Sequence, residues 1–264
     1  MPARSCRPPA GRSTTRPRWS AVRTTPTITR SSRPGPYFKR PGAFFIHILP
    51  YIEETALFSL VNQPGKNMNS TFNGKIFYAN VVDAYLCPSD PTPSRDVARM
   101  GNSNNYDAGW ATTNYVANYL AFGDPDKNMQ DGDTKIKDFT DGTSKTVVFA
   151  ERYNYYGYFT SGTSTGQPAS QSALWTNSES RWSPQFCRGL ATSATAGWKA
   201  CPLFQDGVLY TDASGPEGGG QMIHPGTMNI GMADGSVQSL NGDVDATNWS
   251  RACDRRDGQT QTAF

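Results

Sequence analysis

Apolar residues alternate with small or polar ones at Met228, Ile230 and Met232. A period of two is the pattern of a strand buried on one face. The alternation stops at Asp234-Gly235, a pair suited to a tight two-residue hairpin turn because glycine adopts positive φ freely and aspartate tolerates it. Val237 and Leu240 are expected to resume the apolar face on a returning strand. Nearer the N-terminus the period changes. The run Phe44-Phe45-Ile46-His47-Ile48-Leu49 meets Pro50, and Ile52, Leu57, Leu60 and Val61 then recur at roughly helical spacing. Proline is accommodated in the first turn of a helix, and Glu53 and Glu54 would there lie near the positive end of its dipole. The pattern predicts a helix over residues 43–62, kinked or restarted at Pro50.

Between these two ends the apolar runs are short. Residues 81–86 read as a helix end or short strand leading into Cys87-Pro88-Ser89-Asp90-Pro91, whose prolines prevent regular ladder pairing. Residues 114–122 are rich in aromatics and predict a strand. Residues 136–139 read as a short strand or turn, Asp141-Gly142 as a turn, and residues 146–150 as a buried strand. Residues 160–200 are rich in Ser, Thr, Gly and Ala with isolated tryptophans, and they read as a surface insertion rather than a second core. No internal repeat is found.

Composition alters this picture mainly at the N-terminus. Residues 1–36 contain eight arginines, seven prolines and no acidic residue. Removing those eight from the 25 basic residues leaves 17 against 22 acidic, so the body is mildly acidic despite the formal charge of +3. An arginine-rich arm is able to bind phosphates. The prolines and the absence of an apolar period instead favour a disordered arm over residues 1–42, and no nucleic-acid partner is expected. No run of about 18 apolar residues is present to span a membrane. The cysteines, at 6, 87, 187, 201 and 253, include no C-x-x-C pair, which gives no support to a zinc or redox motif. Cys187 and Cys201 bracket a small-residue loop and form the disulfide candidate. Cys87 is either a buried apolar residue or a partner for Cys6 or Cys253.

His224, Gly226, Asn229, Asp234 and Gly235 lie within a segment whose histidine stands nine residues before the Asp-Gly pair. That spacing resembles the prepilin-type H-x9-D-G motif of a large, planctomycete-type family of pilin-like or pseudopilin-like proteins. Four further segments follow the family's order: residues 48–54, residues 85–91, Thr113-Asn114-Tyr115-Val116, and residues 139–146 running on to Glu151-Arg152. The resemblance implies an exported protein of the cell surface or periplasm, built for assembly in a type II secretion-like or pilus-like machine. Its partners would be other pilin-like subunits or the secretion machinery. Family members begin with a prepilin signal and a long apolar helix that anchors them in the membrane. Here the corresponding region is expected to be either missing or replaced by the Arg/Pro-rich stretch, and we consider residues 7–36 a candidate for translation in a shifted frame.

Catalytic apparatus is sparse. The chain has two histidines. His47 sits in an apolar run and reads as a partly buried helix residue. His224 is expected to make a structural hydrogen bond across the hairpin end, toward the Asp234 region. No G-x-S-x-G elbow accompanies it, so an enzyme is not expected. Calcium is the one cofactor with a candidate site: Asp124, Asp126, Asn128, Asp131 and Asp133 supply hard oxygen ligands on a loop, though the EF-hand pattern fails. Trp175, Trp182 and Trp198, with Tyr153, Tyr155, Tyr156 and Tyr158, form a candidate glycan-stacking set. The reading is therefore α+β: a truncated or corrupted N-terminal helix packed on an antiparallel β-sheet with a C-terminal hairpin and long surface loops. Residues 43–250 form one domain and 251–264 a tail. The function expected is a non-catalytic structural surface protein, the alternative an extracellular glycan- or calcium-binding module.

Overall fold

The computed structural model describes residues 43–92, 97–98, 109–124, 134–159, 169–177, 183–187, 201–209 and 219–259. Its centre is a five-stranded sheet of β1 (Tyr115–Asn118), β2 (Val147–Glu151), β3 (Gln185–Phe186), β4 (Thr227–Met232) and β5 (Val237–Asn241), in the order β5-β4-β2-β1-β3. β1 and β3 run parallel while the other neighbours are antiparallel. The sheet is therefore mixed, not wholly antiparallel as expected. The class is α+β: α1 (Phe44–Ile48), α2 (Thr55–Asn62), α3 (Tyr119–Phe122) and α4 (Ala246–Cys253) accompany the sheet, together with three two-stranded ribbons among the described residues.

Both faces of the sheet are covered, which accounts for the burial of the central strand β2 on both sides. On one face Phe45, Leu49, Leu57, Phe77, Tyr85 and Trp175 form a core with the first two helices. On the other, Val116, Val147, Met228, Ile230, Met232 and Leu240 pack with Phe186 and Trp249. The alternation at Met228, Ile230 and Met232 thus directs one face inward. Val237 behaves differently: it pairs with Gly231 and is 72% exposed, because it and Leu240 differ in parity and cannot share a face.

Local chemistry explains the other departures from the sequence pattern. The N-terminal helix is two helices. A 3-10 turn at Leu49–Tyr51 contains Pro50, and Glu53 at φ 68° breaks the path before α2. Glu53 and Glu54 consequently lie in the joint rather than in a first turn. The strand expected over 114–122 ends at Asn118, whose side chain accepts from Leu120 N–H (2.9 Å) and starts α3. Its amide also donates to the Val147 and Cys253 carbonyls at 2.6 and 2.7 Å, so a buried cap ties three segments together. Residues 83–85 and 136–138 are 3-10 turns.

The segment read as a surface insertion contributes core. Ala173, Leu174, Trp175 and Phe186 are fully buried, and β3 extends the sheet. Cys187 and Cys201 are joined by a disulfide beside Trp249 in the same core. The boundary drawn at residue 250 also fails, because α4 runs through it with Trp249, Ala252 and Cys253 fully buried. Asp245 caps α4 by accepting from Thr247 and Asn248 N–H. Beyond the helix, the Arg255 guanidinium donates to the Leu120 and Ala121 carbonyls at the end of α3.

Candidate functional site

The segments that carry the family resemblance meet in space. Asp90, Asn114, Glu151 and Arg152 are buried polar residues at the ends of β1 and β2. Asn114 Oδ1 accepts from Cys87 N–H (2.8 Å), while Nδ2 donates to Asp90 Oδ2 (2.5 Å) and to the Arg152 carbonyl (3.1 Å). Asp90 also accepts from Thr92 and Asn154 N–H, both at 3.0 Å. The Arg152 guanidinium donates to the Gly219 and Gln185 carbonyls and lies over the Tyr156 ring, 5.8 Å from its centroid. These groups satisfy one another, which burial requires.

Glu151 links this network to the hairpin. Its carboxylate accepts from Asn229 N–H (2.8 Å) and Asn229 Nδ2 (3.1 Å), and Ser239 Oγ donates to Asn229 Oδ1 at 2.7 Å. His224 Nε2 stands 3.3 Å from Glu151 Oε1 and 3.7 Å from Cys87 Sγ. His224 is thus engaged with Glu151, not with the Asp234 region as expected. The strand β4 separates it from Asp234, which sits at the far tip of the hairpin. Gly226, at φ 70°, makes the turn that carries the chain from His224 into β4.

The tip itself is a three-residue loop rather than the expected two. Gly235 N–H donates to the Met232 carbonyl, Met232 N–H donates to the Ser236 carbonyl, and Gly235 has φ 88°. This is the type I turn with a left-handed third residue that such loops favour. Ser236 donates to Asp234 through both its hydroxyl (2.7 Å) and its amide (2.9 Å), which lowers the Asp234 carboxyl below its ordinary range. The earlier Asp-Gly pair packs against this tip: Asp234 and Ala233 N–H donate to the Thr143 and Thr146 carbonyls. Gly142 takes φ 106°, and Asp141 accepts from Asp257 and Gly258 N–H. Two turns about ninety residues apart in sequence therefore brace each other.

A nucleophile does not emerge from the Cys87, Glu151 and His224 group. Burial is the main cause that pushes the Cys87 thiol above its ordinary range. Glu151 and Cys87 also both approach Nε2, whereas a thiol–imidazole–carboxylate relay needs one partner on each ring nitrogen. The three ligand atoms lie within 4.8 Å of one another and so are spaced to hold a metal; Cys187, Cys201 and Cys253 form a second such group, but two of them share the disulfide. A groove of about 300 Å³ lies between Phe45, Ile48, Tyr85, Tyr115, Phe149 and Val237 and is lined mainly by apolar side chains.

Of the calcium candidates, Asp124 uses its carbonyl to accept from the Tyr119 hydroxyl (3.4 Å). Asp126, Asn128, Asp131 and Asp133 lie outside the described residues. Trp175 is removed from the glycan set. It is fully buried, its indole N–H donates to the Asn80 carbonyl (3.0 Å), and its ring packs 5.3 Å from Phe77. Tyr153 and Tyr156 are buried too, Tyr155 and Tyr158 fall in a strand at Tyr155–Phe159, and Trp182 and Trp198 lie outside the described residues.

Of the two sequence readings of Cys87, the buried residue outside any disulfide is the one observed, and sequence reasoning did not assign roles to Asp90, Asn114, Glu151 or Arg152. The signal was the order of their segments, which the fold turns into one network. Among the described residues, no helix is long and apolar enough to cross a membrane. Comparison with curated proteins and with solved structures yields no match. A family match does cover residues 12–247, nearly the whole chain, and the protein therefore belongs to the family described as "Protein of unknown function (DUF1559)".

Proposed function

We propose that this chain is a non-catalytic structural protein, a pilin-like or pseudopilin-like subunit whose exported head domain acts by assembly at the cell surface. The observation that carries the reading is how the motif residues are employed. Asp90, Asn114, Arg152 and Asp141 direct their hydrogen bonds to the chain's own backbone and side chains, and none reaches the groove. Residues used this way specify a fold. The sheet packed beneath N-terminal helices also suits a head carried on a helical stalk. Its partners would be other subunits of this kind or a secretion machine.

The test uses the full-length gene product in its own bacterium. Val237, exposed at the sheet edge, is replaced by cysteine and surface material is sheared from the cells. The expected result is a ladder of crosslinked multimers in the sheared fraction that collapses on reduction. Exclusively monomeric protein in every fraction would overturn the proposal.

A further inference from the structure

We propose that Cys87, Glu151 and His224 form a binding site for a zinc-class divalent cation. The donor set is the first reason: thiolate and imidazole together suit zinc, and a carboxylate completes three protein ligands with a fourth position left for water. The spacing is the second. Zinc bonds of about 2.3 Å to sulfur and about 2.05 Å to nitrogen or oxygen, set at tetrahedral angles, place sulfur and nitrogen about 3.6 Å apart and nitrogen and oxygen about 3.4 Å apart. The structure has Cys87 Sγ 3.7 Å and Glu151 Oε1 3.3 Å from His224 Nε2.

Each ligand is also held in place by a neighbour that is not itself a ligand. Asn229 donates twice to the Glu151 carboxylate, Asn114 accepts from Cys87 N–H, and the tight turn at Gly226 aims His224. Such supporting contacts orient ligands and tune affinity. Access is the remaining requirement. The Glu151 side chain is 3% exposed but His224 is 27% exposed, so an ion enters from the imidazole side. The bound ion would clamp the loop after residue 86, the end of β2 and the entrance to β4. This goes beyond a purely structural assembly role and does not depend on it.

Cobalt(II) is the probe, because a tetrahedral thiolate site gives an intense near-ultraviolet charge-transfer band. The full chain, with its disulfide intact and metal removed by chelation, is titrated with cobalt and then with zinc. One cobalt per chain with a thiolate band, displaced by zinc, is expected, and zinc should raise Tm. Cys87→Ser should abolish the band with an unchanged circular dichroism spectrum, while Cys253→Ser should leave it intact. Should Cys87→Ser fail to fold, His224→Gln is read the same way. Asn229→Ala should weaken zinc binding by about 10–100-fold. A folded wild-type chain with no band and no Tm shift overturns the site, as does a band that survives both Cys87→Ser and His224→Gln.

Discussion

Asn114 offers the sharpest test of the buried network, because a single side chain joins three segments distant in sequence. Replacing it with alanine removes the acceptor of Cys87 N–H and the donors to Asp90 Oδ2 and the Arg152 carbonyl. Asn114 is fully buried, so water has no direct route to these groups. A buried polar group stripped of its partner costs about 1–3 kcal/mol. The Cys87 N–H and the Arg152 carbonyl are stripped outright while Asp90 Oδ2 keeps the Asn154 N–H, so the losses sum to about 4 kcal/mol. That is a large share of the roughly 5–15 kcal/mol that stabilises a typical domain. Asn229→Ala provides the contrast: Asn229 is only half-buried, its backbone N–H still donates to Glu151, water can replace the lost Nδ2 donor, and about 1 kcal/mol is expected. Urea unfolding of both variants, with chelator present to remove any bound metal, measures the difference. A loss below about 1.5 kcal/mol for Asn114→Ala, or no greater than that for Asn229→Ala, would refute the idea that the motif segments are held together through this amide.

Other predictions follow from the same contacts. Tyr85 donates to the Phe45 carbonyl at 2.6 Å, and burial, followed by the Glu54 charge, raises its pKa above that of the unfolded chain. Its contribution to stability is therefore complete below about pH 10 and is lost as pH climbs further. Tyr115, Tyr153, Cys87 and Cys253 shift the same way, so unfolding followed by circular dichroism should show marked alkaline lability, reduced in part by Tyr85→Phe. Gly235→Val should cost about 1–2 kcal/mol from backbone strain, since nothing crowds a Cβ there. Gly123→Ala should lower Tm more, because its Cβ would meet the Tyr119 carbonyl oxygen at 2.7 Å. Reducing the Cys187–Cys201 bridge, which spans 14 residues, should cost about 3 kcal/mol in a thermal melt compared with and without reductant.

What could be read along the chain depended on whether a residue's role is local. The hairpin strands were legible because Met228, Ile230 and Met232 alternate, and the Asp234-Gly235 turn because its chemistry is confined to neighbouring residues. The break in the N-terminal helix was visible at Pro50. Asn118 was not legible as a helix cap, since an asparagine within an aromatic run looks the same whether it continues a strand or ends one. Trp175 stood in a polar stretch and so resembled a surface aromatic, although the Asn80 carbonyl and the Phe77 ring await it in the core. His224 illustrates the same limit at the site: its sequence neighbours pointed toward Asp234, while its partners are 73 and 137 residues away.

The amino-acid order by itself determined the α+β character, the two Asp-Gly turns, and the separation of an Arg/Pro-rich arm from an acidic body. Each follows from side-chain period, φ preference or charge, and these act over a few residues. Only the tertiary structure decided that β3 lies parallel to β1 and that the Cys187–Cys201 bridge, already a candidate in the sequence, lies in the core beside Trp249. It alone brought Cys87, Glu151 and His224 onto one point. Those outcomes depend on which buried polar groups satisfy one another across long stretches of chain, and no local pattern records that pairing.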